Sequence, residues 1–544
     1  MERFGRILKL TVVVAVLLGS VSCGGNNKDS ENKDSKQTIV VKKKTMETLN
    51  SVGKENMVPD GAVAAMKIMP QQLWTKTIGQ PGSQGYDLWQ NVKSQSSLLS
   101  LGLGELGSML TDAFDNPDAL GLSLTEPLVL SVALDPKTAS ETNQSFELYV
   151  VATLSSRASF EKFMDALVPF AGKATDRKIT KEIIADTFTY YNLYSENSQY
   201  ADLAILEKSA VLRFSYSADK QSDDLKKSMS ELFADGRHKG SDAMKDFYAT
   251  GADVALWLDY DKVMSFMPES GMDMSMFKGS SIVSDLDFSN GKTVLNVKMH
   301  GSEKIKEYAQ KYNAVASDKY FKYLPASSVL VMNAAVKDLP GLLDEYAAMN
   351  PELTEYLEYF EDEFGFDQDL LAGISGQVVI AVDGRNLGND DEIPGVIAFV
   401  ECEESVWDYI EESVSGYSQK YGRNTYLLAD NLIVKYDGCA LVFGNEKTIS
   451  GGSSVFADTA FSKEISTGGV LLNLEELPIS LLNELIDECD IPLSGRELLK
   501  YMSSITVSSS YDHMSGTITC NMGDKKHNML ELLFSEIISQ MSLY

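Results

Sequence analysis

The sequence predicts an α+β protein built of two internally repeated halves, each made of mostly antiparallel sheet with helices on one face. Three observations predict it. Short apolar runs with strand periodicity recur along the chain, several lead directly into amphipathic helical stretches, and the order of these elements in residues 58–320 recurs in 321–544. Composition agrees with a folded body of more than one core: 544 residues, 44% hydrophobic and 23% charged. Asp and Glu number 78 against 48 Lys and Arg, a formal charge of −30. That balance argues against nucleic acid as a partner, because duplex binding needs concentrated positive surface.

Residues 1–22 read as an export signal. Arg3, Arg6 and Lys9 supply the positive start, and Leu10 to Leu18 supply an apolar run too short to anchor in a bilayer. The run closes on Ser20-Val21-Ser22-Cys23, which resembles a lipobox. Small residues there suit an extended protease groove, and the Cys23 thiol is the nucleophile for lipid transfer, giving a lipidated first residue that carries palmitate. Residues 23–57 form the lipidated Cys and a polar tether with too little apolar surface to offset its chain entropy. Its Lys28 to Asp34 stretch is similar in flavour to the acidic export tags of Bacteroidota surface lipoproteins.

The first repeat opens at Val58-Pro59 with a strand through Ile68, and the second opens at Leu324-Pro325 with a strand through Asn333. A helical stretch follows each, Gln71 to Ile78 and Lys337 to Met349. Strands are next expected at Glu126 to Leu134 and Phe146 to Leu154, matched by Ile374 to Val382 and Gly395 to Glu401. An amphipathic helix comes next in both: Phe160, Phe163, Met164 and Leu167 share one face, as do Val406, Tyr409, Ile410 and Val414. Three strands (187–194, 201–206, 210–216) match 425–428, 431–436 and 440–443. Val254 to Asp259 matches Val470 to Leu474, and two further strands and a closing helix end each half. The β-α-β-β-α-β order is similar to ferredoxin-like modules.

The lipobox, the polar tether, the Val/Leu-Pro strand openings and the unit Ala252 to Tyr260 together resemble the large Bacteroidales envelope lipoproteins catalogued only as a domain of unknown function. The resemblance implies an envelope lipoprotein and brings no substrate, cofactor or active-site residue with it.

Candidate chemistry is thin. Gly102, Gly104 and Gly107 spell GxGxxG but follow no strand, so close packing or a kink explains them better than a dinucleotide. The Gly291-Lys292-Thr293 of a phosphate loop lacks its first glycine, and Asn290-Gly291 reads as a hairpin turn. Ser217 and Lys220 fit SxxK without its companion motifs. His238, His300, His513 and His527 make no close metal-ligating pair, and the acidic loop from Asp383 to Glu392 departs from the EF-hand order. Glu355 to Asp369 is an anionic, aromatic-backed stretch, and Asp458-Thr459-Ala460 resembles a Bacteroidota O-glycosylation acceptor. Cys402, Cys439, Cys489 and Cys520 allow three pairings that sequence cannot separate. Met264, Phe266, Met267, Met272, Met274, Met276 and Phe277 form the candidate partner-contact loop, since thioethers adapt to varied surfaces.

The expectation is a non-enzymatic binding or assembly protein, held at the outer membrane by its lipid on the periplasmic face or cell surface. It takes no cofactor, metal or nucleic acid, and its partner is a protein or glycan. The alternative is a glycan-acting hydrolase or glycan-binding surface protein, for which Trp74, Trp89, Trp257 and Trp407 are the aromatics to examine.

Overall fold

The structure, a computed structural model, describes residues 57–59, 61–95, 103–134, 146–175, 178–184, 188–196, 199–216, 241–265, 278–301, 303–349, 368–387, 395–428, 432–445, 467–482, 499–510 and 514–541. They are mixed helix and strand, and every described strand pairing inside the two units below is antiparallel. The chain divides into two compact units, each treated by itself.

The N-terminal unit contains β1 (Ala62–Ile68), α1 (Pro70–Thr77), α2 (Gln84–Gln95), α3 (Glu105–Asp115), β2 (Leu128–Leu134), β3 (Phe146–Thr153) and α4 (Arg157–Thr175). It continues through β4 (Thr180–Ile184), β5 (Phe188–Glu196), β6 (Gln199–Ile205), β7 (Ser209–Tyr216), α5 (Asp242–Ala249), β8 (Val254–Asp259), α6 (Tyr260–Ser265) and β9 (Ser281–Ser289). Its strands lie in the order β9, β8, β1, β2, β3, β7, β6, β5, β4. Local chemistry sets the helix starts. Pro70 sits in the first turn of α1, where its missing N–H costs nothing. The Ser241 hydroxyl caps α5 by accepting from Met244 N at 3.2 Å. At Gly121, φ is +84° and an added Cβ would lie 2.4 Å from Ser156 O, so only glycine lets this turn approach the start of α4.

The C-terminal unit contains β10 (Lys292–His300), α7 (Glu303–Tyr312), β11 (Ser328–Val336), α8 (Leu339–Met349), α9 (Gln368–Ala372), β12 (Ile374–Asp383), β13 (Val396–Cys402) and α10 (Glu404–Ser415). Then come β14 (Gln419–Gly422), β15 (Thr425–Leu427), β16 (Leu432–Tyr436), β17 (Ala440–Asn445), β18 (Gly468–Asn473), β19 (Met502–Ser510) and β20 (Ser515–Met522). The last helix of the chain, α11 (Met529–Met541), belongs from Leu530 onward to the N-terminal unit. The strand order is β10, β20, β19, β18, β11, β12, β13, β17, β16, β15, β14. From β19 to β14 this is, strand for strand, the order found in the N-terminal unit from β9 to β4.

Two details differ from the sequence expectation. Helices pack on parts of both faces of each sheet. Phe160 and Met164 of α4 pack with Tyr191, Leu203, Ile205 and Ala210, while Met244 and Phe247 of α5 pack with Tyr190, Ala204 and Val211. Those two sets alternate along β5, β6 and β7, which are apolar at both parities and so need cover on both sides. In the C-terminal unit, Val406 and Trp407 of α10 lie with Leu441, and Tyr320, Phe321 and Leu324 lie with Ala440 and Val442. The pairing also differs from a ferredoxin-like module, whose first two strands are parallel and separated by a third. Here β1 pairs directly and antiparallel with β2, and β11 with β12. The connection after β1 runs through three helices, enough to bring the chain back beside its own first strand.

Candidate functional site

The sheet of the N-terminal unit has its two faces in an unusual arrangement. One face carries Lys67, Ser131, Tyr149, Arg213, Asp253 and Asp285, interleaved with core residues such as Ala65, Val129, Val151 and Trp257; all but Asp285 are buried. The register explains the grouping. Ser131 opposes Tyr149, Tyr149 opposes Arg213, and Arg213 opposes Asp202, a polar row across β2, β3, β7 and β6.

That row is internally neutralised. Arg213 donates from Nε to Asp202 Oδ1 at 3.0 Å and from Nη2 to Oδ2 at 2.6 Å. Tyr190 Oη donates to Asp202 Oδ2 at 3.0 Å, and Tyr149 Oη donates to Glu147 Oε2 at 2.6 Å. Burial by itself would depress the guanidinium, but the bonds and charge of Asp202 outweigh it and hold Arg213 above its ordinary value. Burial, joined by Glu147, pushes the Tyr149 phenol well up. A committed guanidinium and two phenols held protonated offer neither a nucleophile nor a base at neutral pH.

Lys67 is the second buried charge. Its Nζ donates to Tyr248 O at 3.1 Å and Thr250 O at 2.6 Å, the carbonyls that end α5, where a helix favours a cation. Burial lowers its amine from 10.5 to about 8, with Asp285 pulling the other way. Below pH 8 the amine is charged in both folded and unfolded chains, and the burial cost is present in full. Between pH 8 and 10.5 the folded chain has released a proton that the unfolded chain keeps, so stability rises with pH. The urea midpoint of the native protein is therefore expected to gain on that of Lys67→Met between pH 7 and 10; midpoints that run parallel would contradict this. Beyond it, Asp253 accepts from Lys76 Nζ at 2.6 Å and from Phe288 N at 2.7 Å, tying α1 to the end of β9.

The opposite face holds Met66, Ile68, Leu130, Val132, Leu148, Leu212, Phe214, Val254, Leu256 and Leu258, by alternation from the covered residues. Part of it lies against α4, with Leu212 packed on that helix. Phe146 on this face is 44% exposed, Phe214 42% and Leu256 46%, and the other residues named are half-buried. Phe146 stacks on Tyr216 at 6.2 Å between ring centroids. An antiparallel sheet open on one side normally turns polar residues outward. This one turns apolar residues outward and buries its charges.

The residues singled out from sequence fall as follows. Cys23 and Phe266 to Phe277 lie outside the described residues, and Met264 falls in the last turn of α6. Ser217 to Lys220, His238, His513, residues 355–367, 388–394 and 458–460, and Cys489 also lie outside. Cys402, Cys439 and Cys520 are free thiols. Trp257 and Trp407 are buried and cannot present a flat face to a sugar. Trp74 and Trp89 are half-buried and meet edge to face at 4.5 Å, with Phe114 4.8 Å from Trp89. Gly104 precedes α3 at φ +58°, and Gly291, at φ +76°, makes the turn from Ser289 to Lys292. Asp383 is engaged by Arg385 Nε at 2.8 Å and Ser327 Oγ at 2.7 Å, which leaves it a turn-stabilising carboxylate. His527 sits 2.6 Å from Asp524 across a turn. Among the described residues no three His, Cys, Asp or Glu side chains group to hold a metal, and no helix is long and apolar enough to cross a membrane.

Comparison with curated proteins finds no match. Two crystal forms of TP0453 align with the chain: form IV at 11% identity, over 47% of this chain and 83% of that one, and form I at 10%, over 48% and 88%. Both have a TM-score of 0.23, too low to carry a fold assignment. A family model described as a domain of unknown function, DUF4836, matches residues 54–402, well over half of the chain. The chain belongs to that family.

Proposed function

We propose that this is a lipid-anchored protein of a bacterial outer membrane, of the Bacteroidales type, that acts by binding another envelope component and not by catalysis. The observation that carries the binding reading is the apolar outward face around Phe146, Phe214 and Leu256. The export signal, the lipobox ending at Cys23 and the polar tether support the anchor. The body is read as two repeats, 58–320 and 321–544. The shared strand order from β9 to β4 and from β19 to β14 supports duplication. A tether of about thirty residues lets such a body search its surroundings while staying at the bilayer.

The anchor is tested by fractionating cells that carry the native chain or Cys23→Ala. The native chain is expected in the outer-membrane fraction with a diacylglyceryl group on Cys23, and the variant is expected to lose that modification and leave the fraction. Native chain recovered with an unmodified Cys23 thiol in the soluble fraction would defeat the reading.

A further inference from the structure

We infer that the outward face of the N-terminal unit takes a polypeptide segment of another protein, one that leads into a helix with leucine-sized side chains at positions i, i+3 and i+7. The inference rests on the proposed reading that this face binds a partner, and it names the chemistry of that partner. The two units carry the same apolar row by register. Met66 of β1 stands opposite Leu130 of β2 and Leu256 of β8. Met332 of β11 stands opposite Ile380 of β12 and Val470 of β18 in the same way. Two residues earlier on the same face, Ala64 opposes Val132, and Leu330 opposes Val382.

In the C-terminal unit that row is covered by the chain that follows β18. Leu474, Leu477 and Leu481 are buried and pack with Leu330, Met332 and Val382. Between these leucines, Glu475, Glu476, Ile479 and Ser480 are exposed. Leu474 and Leu477 come from a turn. Leu481 comes from the helical turn that opens at Pro478, whose carbonyl accepts from Leu482 N at 3.0 Å. The segment therefore has one apolar side and one polar side, the arrangement by which an amphipathic peptide lies in a hydrophobic groove.

In the N-terminal unit the chain after β8 leads into α6, which packs on β1 and β8 and is tied down by Lys262 Nζ donating to Ala62 O at 3.2 Å. With α6 in place the row still reaches solvent. Leu256 is 46% exposed, and Ala64, Met66 and Val132 are half-buried where Leu330, Met332 and Val382 are buried. Ala64 is also smaller than Leu330, which leaves space beside Met66 for an inserted side chain. A leucine-bearing segment brought by a partner supplies here the side chains that the C-terminal unit takes from its own chain.

The probe is a fluorescein-labelled peptide with the sequence from Asn473 to Leu482, followed by anisotropy on the full-length chain carrying Cys23→Ala, which keeps the anchor lipid out of the assay. Saturable binding is expected. The changes Leu474→Ser, Leu477→Ser and Leu481→Ser together in the peptide, or Leu256→Lys in the protein, should each weaken it at least about tenfold, through lost burial and a desolvated ammonium. Leu256→Met should bind as the native side chain does, and both protein variants should keep the thermal midpoint within a few degrees. No saturable binding, or binding that survives Leu256→Lys, would overturn the inference. Binding of phosphatidylethanolamine–phosphatidylglycerol vesicles that Leu256→Lys abolishes, with the peptide inert, would put lipid in place of peptide and leave the binding reading standing. A benzophenone side chain at Leu256 that links to residues 266–277 of the same chain would overturn both, because the face would then be filled from within.

Discussion

Replacing Asp202 with Ala is expected to lower the unfolding free energy by about 3–5 kcal/mol, the cost of leaving a buried charge without its partner. Arg213 is fully buried, and its side chain sits 2.6 Å from an equally buried Asp202. Once the carboxylate is gone, the guanidinium keeps its charge, because arginine does not release its proton near neutral pH. Tyr190 loses its acceptor at the same time. Urea unfolding measures this directly: the midpoint should fall with little change in slope. The double variant Asp202→Leu/Arg213→Met should recover most of the loss, since an apolar pair of similar volume removes the desolvation cost on both sides. A loss below about 1 kcal/mol for Asp202→Ala would mean that water reaches Arg213, against the burial described here.

The second large effect concerns the outward face. Phe214→Lys combined with Leu256→Lys is expected to leave the fold intact and weaken whatever docks there by roughly 30-fold or more. Both side chains are a little under half exposed, so the fold draws only part of their burial energy. Completing that burial in a complex is worth about 1 kcal/mol for each residue, and two such losses amount to roughly 30-fold. Placing two ammonium groups in the contact adds a desolvation cost. In the purified protein, the fluorescence of an anilinonaphthalene sulfonate dye bound to this face should drop while the thermal midpoint stays within a few degrees. Unchanged dye binding would move the apolar surface elsewhere on the chain.

Some of this was legible in the sequence. Runs such as Leu128 to Leu134 and Val254 to Asp259 announce strands, and the helical faces of Phe160 to Leu167 and Val406 to Val414 announce α4 and α10. The same runs also held the signal of the outward face. Leu128 to Leu134 is apolar at both parities, as a sheet buried on both sides should be. What escaped is equally physical. β4 and β14 are mostly exposed and polar edge strands, so no apolar alternation marks them. α5 is only two turns long, and its clearest sign is the Ser241 cap. The Arg213–Asp202 pair depends on register, and residues 11 apart in sequence carry no local sign of meeting. The ferredoxin-like expectation failed for the same reason: element order along the chain does not specify which strands become neighbours.

The most direct test of the account places a photo-crosslinking side chain at Leu256 in the full-length chain and irradiates intact cells. Glu207, in an exposed turn of the same unit, serves as the control. The account predicts strong crosslinking of Leu256 to one dominant envelope component, lost in Cys23→Ala cells, with little from Glu207. Equal, weak and unselective crosslinking from the two positions in cells that carry the native Cys23 would contradict it.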